Sequence, residues 1–202
     1  MTQVIEIIIK GGFVMIPLLA CSLISLALTI ERIIFWAKIK SKQTVQEILS
    51  LVEQQEFEKA LQLGRKSHQP IARVLAAGLA HRNPAPAKAM ESAAQAEIPV
   101  LKSRLGILDT IVTLAPLLGL LGTVVGMIGS FDIMSEAGMG QPHAVTGGVA
   151  EALIATATGL LIAILTLVPY NYFTARAERE MDDMERFSSS LELLLHDRAE
   201  KH

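Results

Sequence analysis

The sequence is poor in most of what soluble chemistry needs. It has one cysteine, Cys21, so no intramolecular disulfide can form, and no Cys/His spacing resembles a zinc site. Aromatic residues are 4% of 202, too few for platforms that stack bases or sugars. A net charge of −2, from 18 basic and 20 acidic residues, argues against nucleic acid as a partner. No nucleophile–base pair is evident, and the glycine-rich run 119–129 lacks the Gly-Lys-Ser/Thr ending of a phosphate loop. These absences argue against an enzyme, and nothing calls for a cofactor or a metal. Charged residues are also scarce, 19% of the chain against about 25% in ordinary soluble domains.

The missing charge is concentrated in three stretches. Between Lys10 and Arg32 only Glu31 is charged, between Arg104 and Asp132 only Asp109, and between Glu136 and Arg176 only Glu151. Each gap holds the ~20 apolar residues with which a helix crosses ~30 Å of hydrocarbon. The alternating ~10-residue strands of an outer-membrane barrel are a different pattern. With 51% hydrophobic residues and a mean hydropathy of +0.43, the chain reads as an all-α polytopic membrane protein. Three transmembrane helices are expected over 13–36, 105–132 and 148–173. Around them lie an outside segment over 1–12, a helical cytoplasmic loop over 37–104, a short outside loop over 133–147 and an amphipathic cytoplasmic tail over 174–202.

Lysine and arginine set this orientation. Eleven lie in 37–104 and five in 174–202, none lies in 135–146, and only Lys10 precedes residue 13. By the positive-inside rule the long loop and the tail are cytoplasmic, and the N-terminus and short loop are outside. Trp36, Tyr170 and Tyr172 fall at inner ends of spans, where amphipathic rings prefer to lie. Leu18-Leu19-Ala20-Cys21 resembles a lipoprotein cleavage box, but the apolar run continues to residue 30 without a basic leader. Cys21 therefore reads as a buried cysteine inside a span.

In the long loop, Val45, Ile48, Leu49 and Val52, then Phe57, Leu61 and Leu63, follow a helical period with a break near Gln55. His68-Gln69-Pro70 and Asn83-Pro84-Ala85-Pro86 break the chain again and leave a short helix over 71–82. The stretch 87–106 is expected to run into span two as one helix. In the tail, Met181, Met184, Phe187, Leu191 and Leu194 form a stripe expected to pack within the same assembly, with a separate soluble protein as the alternative.

Spans two and three carry small residues at helical spacing. Gly119, Gly122, Gly126 and Gly129 share one face of span two, and Gly148, Ala152, Ala155, Gly159 and Ala163 repeat the device in span three. In lipid, helices associate through close contact that small residues permit, so both faces are expected to pack on other helices. Span one, apolar on all sides, reads as a lipid-facing outer layer. At ~1.5 Å per residue Thr123 lies about 12 Å and Thr156 about 10 Å below the outer boundary. The two hydroxyls then form one level ring, or each simply bonds a carbonyl of its own helix. Glu151 carries a charge that costs ~2.5–3.5 kcal/mol at a span centre and less near an interface. It either lines a hydrated ion path or is a snorkelling structural carboxylate. Asp109, Glu31 and Arg32 lie at inner boundaries, where interfacial solvation explains them.

The run Ala115-Pro116-Leu117-Leu118-Gly119-Leu120-Leu121-Gly122-Thr123-Val124-Val125-Gly126-Met127-Ile128 resembles the signature of the MotA/TolQ/ExbB proton-channel family, its ExbB branch in particular. Gly148-Val149-Ala150-Glu151-Ala152-Leu153-Ile154-Ala155-Thr156-Ala157 resembles that family's third-span motif. Glu31-Arg32 and Tyr170-Asn171-Tyr172-Phe173 also fit, so the likeness covers essentially the whole chain. It implies a homopentameric bundle in a bacterial inner membrane, its pore lined by spans two and three. An ExbD-like single-span partner, which carries the ionisable aspartate, sits in that pore. The resemblance further implies that the translocated ion is H+ and that the work reaches a TonB-like protein, energising outer-membrane transport. Carried over by motif position, the polar pore residues are Thr123, Glu151 and Thr156. One departure is that the family's usual Ala-Ile-Pro is Ala163-Ile164-Leu165 here, with the proline at Pro169, so any kink in span three lies nearer the cytoplasm. A Tol-type envelope motor or a motility stator is the alternative within the family. A non-conducting membrane scaffold is the alternative from another class, and the polar residues at 123, 151 and 156 count against it.

Overall fold

The computed structural model describes residues 11–39, 43–137 and 142–199. The expected N-terminal segment and the middle of the short loop thus lie largely outside the described residues. Among the described residues are seven helices and no strand: α1 Met15–Lys38, α2 Gln43–Glu53, α3 Phe57–Lys66, α4 Pro70–Ala80, α5 Pro86–Leu101, α6 Leu105–Ala137 and α7 Pro142–Ala199. Three of them, α1, α6 and α7, contain stretches long and apolar enough to cross a membrane. The chain divides into two units, one of residues 1–31 and 104–172, the other of 32–103 and 173–202.

The first unit is built from α1, α6 and the first half of α7. Its buried cluster joins Val14, Met15, Leu18 and Cys21 of the first span to Ile111 and Ala115 of the second and Ile162 and Ala163 of the third. Span one is therefore not lipid-facing on all sides. It buries a stripe at 14, 18, 21 and 25, while Ile16, Leu23, Leu26 and Ile30 stay exposed. The stripe ends on Ser25, whose hydroxyl pairs with the Thr166 hydroxyl at 2.7 Å. Thr166 also donates to the Ile162 carbonyl at 2.7 Å, so Ser25 acts as the donor to Thr166. Glu31 meets Arg104 at 3.6 Å on a half-exposed surface, a pair worth little in water.

The second unit packs α2 to α5 and the last part of α7. Val45, Ile48 and Val52 bury one face of α2, and α4 is buried almost throughout, from Pro70 to Leu79. Gln55 adopts φ 65° between α2 and α3, where the apolar period breaks. Prolines open α4 and α5 at their first turns, positions where a missing N–H costs no helical bond. Trp36 is buried with the Arg176 guanidinium 4.9 Å from its ring centroid. Arg176 also donates to the Trp36 carbonyl at 3.5 Å, and Arg32 stacks at 4.4 Å on Phe35.

One further expectation is corrected. The stretch 87–106 does not continue into span two, because α5 stops at Leu101 and α6 starts at Leu105. Pro99 has no N–H for the helix, and Arg104 at φ 65° turns the backbone out of helical geometry. The third apolar stretch and the tail lie on one helix of 58 residues that runs through Pro169. The tail stripe does pack within the chain: Met184 and Leu191 are buried, and Leu191 reaches to 3.4 Å from the position of a Gly78 Cβ.

Candidate ion-path residues at the contact of spans two and three

The small residues of α6 and α7 bring the two backbones together. A Cβ built on Gly119 would stand 3.0 Å from the Thr156 Cα and 3.1 Å from the Ala155 oxygen. One on Gly126 would stand 2.9 Å from the Gly148 oxygen and 3.0 Å from the Ala152 Cβ. One on Gly122 would collide with the Ala155 methyl, and one on Gly159 with the Ala115 carbonyl oxygen. Gly119, Gly122, Gly126, Ala152, Ala155 and Gly159 thus form a single antiparallel seam within one chain. Gly129 does not join it: a Cβ there would meet nothing within 4 Å. The glycine face seals an intrachain contact, and its outermost member faces open space.

The seam determines where the hydroxyls go. Thr156 reaches across it and donates to the Gly119 carbonyl at 2.8 Å. Thr123 donates within its own helix to the Leu120 carbonyl at 2.6 Å. The expected level match is corrected by this register. Thr156 stands beside Gly119, and Thr123 lies four residues, about 6 Å of rise, further along α6. Glu151 is half-buried and its carboxylate lies against Gly12, just ahead of α1, where any side chain would overlap Oε1. Gly12 also adopts φ 72°, a conformation that glycine tolerates and other residues rarely do. Among the described residues no hydrogen bond directly joins any two of Thr123, Glu151 and Thr156.

Beyond the seam, α6 presents an open apolar face. Leu117, Leu120, Leu121 and Val124 are 61%, 58%, 49% and 51% exposed, so lipid or another chain must cover them. Three polar residues were not singled out from the sequence. Ser25 and Thr166 bind spans one and three, and Ser130, buried, donates to the Gly126 carbonyl at 2.9 Å beside Gly148. Ser25 shares a helical face with Leu18 and Cys21, which period alone shows. For Thr166 there was no signal beyond being a hydroxyl in an apolar run. Among the described residues no three His, Cys, Asp or Glu side chains converge to hold a metal ion.

Comparison with known proteins places these motifs. The profile of the MotA/TolQ/ExbB proton channel family matches residues 66–186. The chain is 37% identical over 201 residues, 95% of its own length and 96% of the relative's, to a Synechocystis protein provisionally named biopolymer transport protein ExbB-like 3. It is 31% identical over 188 residues, 90% of the chain and 67% of the relative, to a protein of Methanothermobacter thermautotrophicus provisionally named as a biopolymer transport protein ExbB homolog. It is also 37% identical over 112 residues, 55% of the chain and 49% of the relative, to the Tol-Pal system protein TolQ of Haemophilus influenzae.

Proposed function

The chain belongs to the MotA/TolQ/ExbB proton channel family, and from that premise we propose that it is the ExbB-like channel subunit of an inner-membrane motor driven by the proton motive force. In this reading five copies surround an ExbD-like single-span partner, and the work passes to a TonB-like protein that energises outer-membrane transport. The N-terminus and the 133–147 loop face the periplasm, and the long loop and the tail face the cytoplasm. The observation that carries the reading is the seam of α6 on α7, which sets Thr123 and Thr156 in otherwise apolar walls and leaves one face of α6 uncovered.

The chemistry follows from what a hydroxyl can do. Moving one charge down 100 mV releases ~2.3 kcal/mol, and a motor can use it only if the path accommodates the carrier both ionised and protonated. Both hydroxyls donate to backbone carbonyls at rest, which leaves their lone pairs to accept from a protonated carboxylic acid on the partner. Rotation about the side-chain bond frees the same hydroxyl to donate to the ionised carboxylate. A threonine pair therefore passes either state without trapping it. Glu151, on the outer side of Thr156 along α7, adds a negative charge that attracts the incoming cation.

The test is proton flux into liposomes that contain the purified subunit with its ExbD-like partner. Flux that rises with imposed potential and falls in Thr123→Val/Thr156→Val supports the reading; no potential-dependent flux would leave a scaffold. A Tol-type motor is the second reading, favoured by the match to TolQ. Recovery of a Tol or peptidoglycan-binding partner in place of a TonB-like one would select it.

A further inference from the structure

The second unit carries a groove that the ion path does not use. It runs between α5 and the final part of α7 and has a volume of about 410 Å³, within the ~300–1,000 Å³ of built binding sites. Its floor is apolar: Met90, Ala94 and Ile98 from α5, Met181 and Met184 from α7. Its rim carries four exposed carboxylates, Glu91, Asp182, Glu185 and Glu192, and no lysine or arginine lines it.

The charges are the informative part. Nearby acids are neutralised within the chain, Glu97 by Arg73 at 2.6 Å and Asp183 by Arg186 at 2.9 Å. None of the four rim carboxylates makes an ion pair among the described residues. Arg179 turns away and gives its Nε to the Ala175 carbonyl. Four unpaired carboxylates around one apolar floor repel one another, and a cation on each flank relieves that repulsion.

Both walls repeat at spacings of three and four over about three turns, ~16 Å, so the missing complement is a third helix. We propose that this groove seats a short basic amphipathic helix of a separate protein partner. Its apolar face rests on the methionines, which repack around varied side chains, and its lysines or arginines face the rim. A second copy of this chain is a poor occupant. The basic helix α3 carries Lys59, Arg65 and Lys66, but its small-residue face at Ala60 and Gly64 is already buried. The inference rests on the second unit alone and does not depend on ion conduction.

The test uses the full-length protein in zwitterionic nanodiscs and a fluorescent peptide of about 14 residues, ~21 Å as a helix, with leucines at helical spacing and lysines on both flanks. The expected result is saturable binding that weakens about tenfold or more when the rim charge is removed by Glu91→Gln/Asp182→Asn/Glu185→Gln/Glu192→Gln. Ala94→Trp, which fills the floor and leaves the rim charges in place, should weaken it similarly. Wild-type oligomer size and helix content in the near-isosteric quadruple variant keep its result interpretable if the tryptophan variant misfolds. No saturable binding to the wild type, undiminished binding to the quadruple variant, or equal binding of a peptide with glutamates for lysines overturns the proposal. So does loss of the wild-type oligomer in the quadruple variant, which would make the groove a contact between copies of this chain.

Discussion

Alanine at Gly159 tests whether backbone approach holds spans two and three together. The added methyl would overlap the Ala115 carbonyl oxygen and lie 3.1 Å from the Gly119 Cα. Both are helix backbone atoms, which cannot swing aside as a flexible side chain can. Regaining an ordinary contact of 3.4 Å or more means parting the helices at this point, and overpacking of this kind costs ~1–3 kcal/mol. The parting also thins the neighbouring contacts at Gly119 and Gly122, since a gap of ~0.5 Å forfeits about a quarter of each dispersion well. Against this stands a helix-propensity gain of ~1 kcal/mol for alanine over glycine. Gly129→Ala is the internal control: it keeps the propensity gain and meets nothing within 4 Å. Gly159→Ala should therefore be less stable than Gly129→Ala by ~1–3 kcal/mol, the overpacking term. Unfolding of the purified proteins by SDS in mixed micelles, followed by circular dichroism, reads the difference. If Gly129→Ala unfolds as early as Gly159→Ala, or if both match the wild type, the seam is not what holds the spans.

Other expectations follow from the same contacts. Thr156→Val should lose the bond to Gly119 and ~0.6–1.7 kcal/mol of stability while Thr156→Ser keeps it, and Thr123→Val, which gives up only a bond within its own helix, should be nearer neutral in the same titration. In the proposed motor both valine variants assemble yet depress siderophore uptake measured in cells at matched expression, and Glu151→Ala does so more than Glu151→Asp. Cysteine at Ser135 should react with an impermeant thiol reagent from outside and cysteine at Gln46 should not; the opposite pattern would reverse the orientation. Gly78→Ala should lower stability in thermal denaturation by ~1–3 kcal/mol, because its methyl would stand 2.6 Å from Cγ of Met90, a buried side chain that has to repack.

The three spans were legible in the sequence because the thickness of hydrocarbon imposes a length and a charge rule on each segment separately. The loop helices were legible for a similar reason: the break near Gln55 and the prolines at 70 and 86 are local steric facts, and α2 to α5 start and stop around them. The glycine and alanine faces could be named, since period alone decides which residues share a side of a helix. Tertiary structure decided what those faces touch. It put Gly119 and Gly126 against α7 but left Gly129 open, and it joined Ser25 to Thr166. It sent the Thr156 hydroxyl across to Gly119 and the Thr123 hydroxyl back to Leu120, about one turn out of level. It also ended α5 at Leu101 by holding Arg104 at a left-handed φ. The physical reason is common to these cases. A sequence repeats along its own helix axis, whereas the slide and rotation of one helix on another are set by how two surfaces interlock, and a slide of one turn, ~5.4 Å, preserves every periodicity while changing every partner.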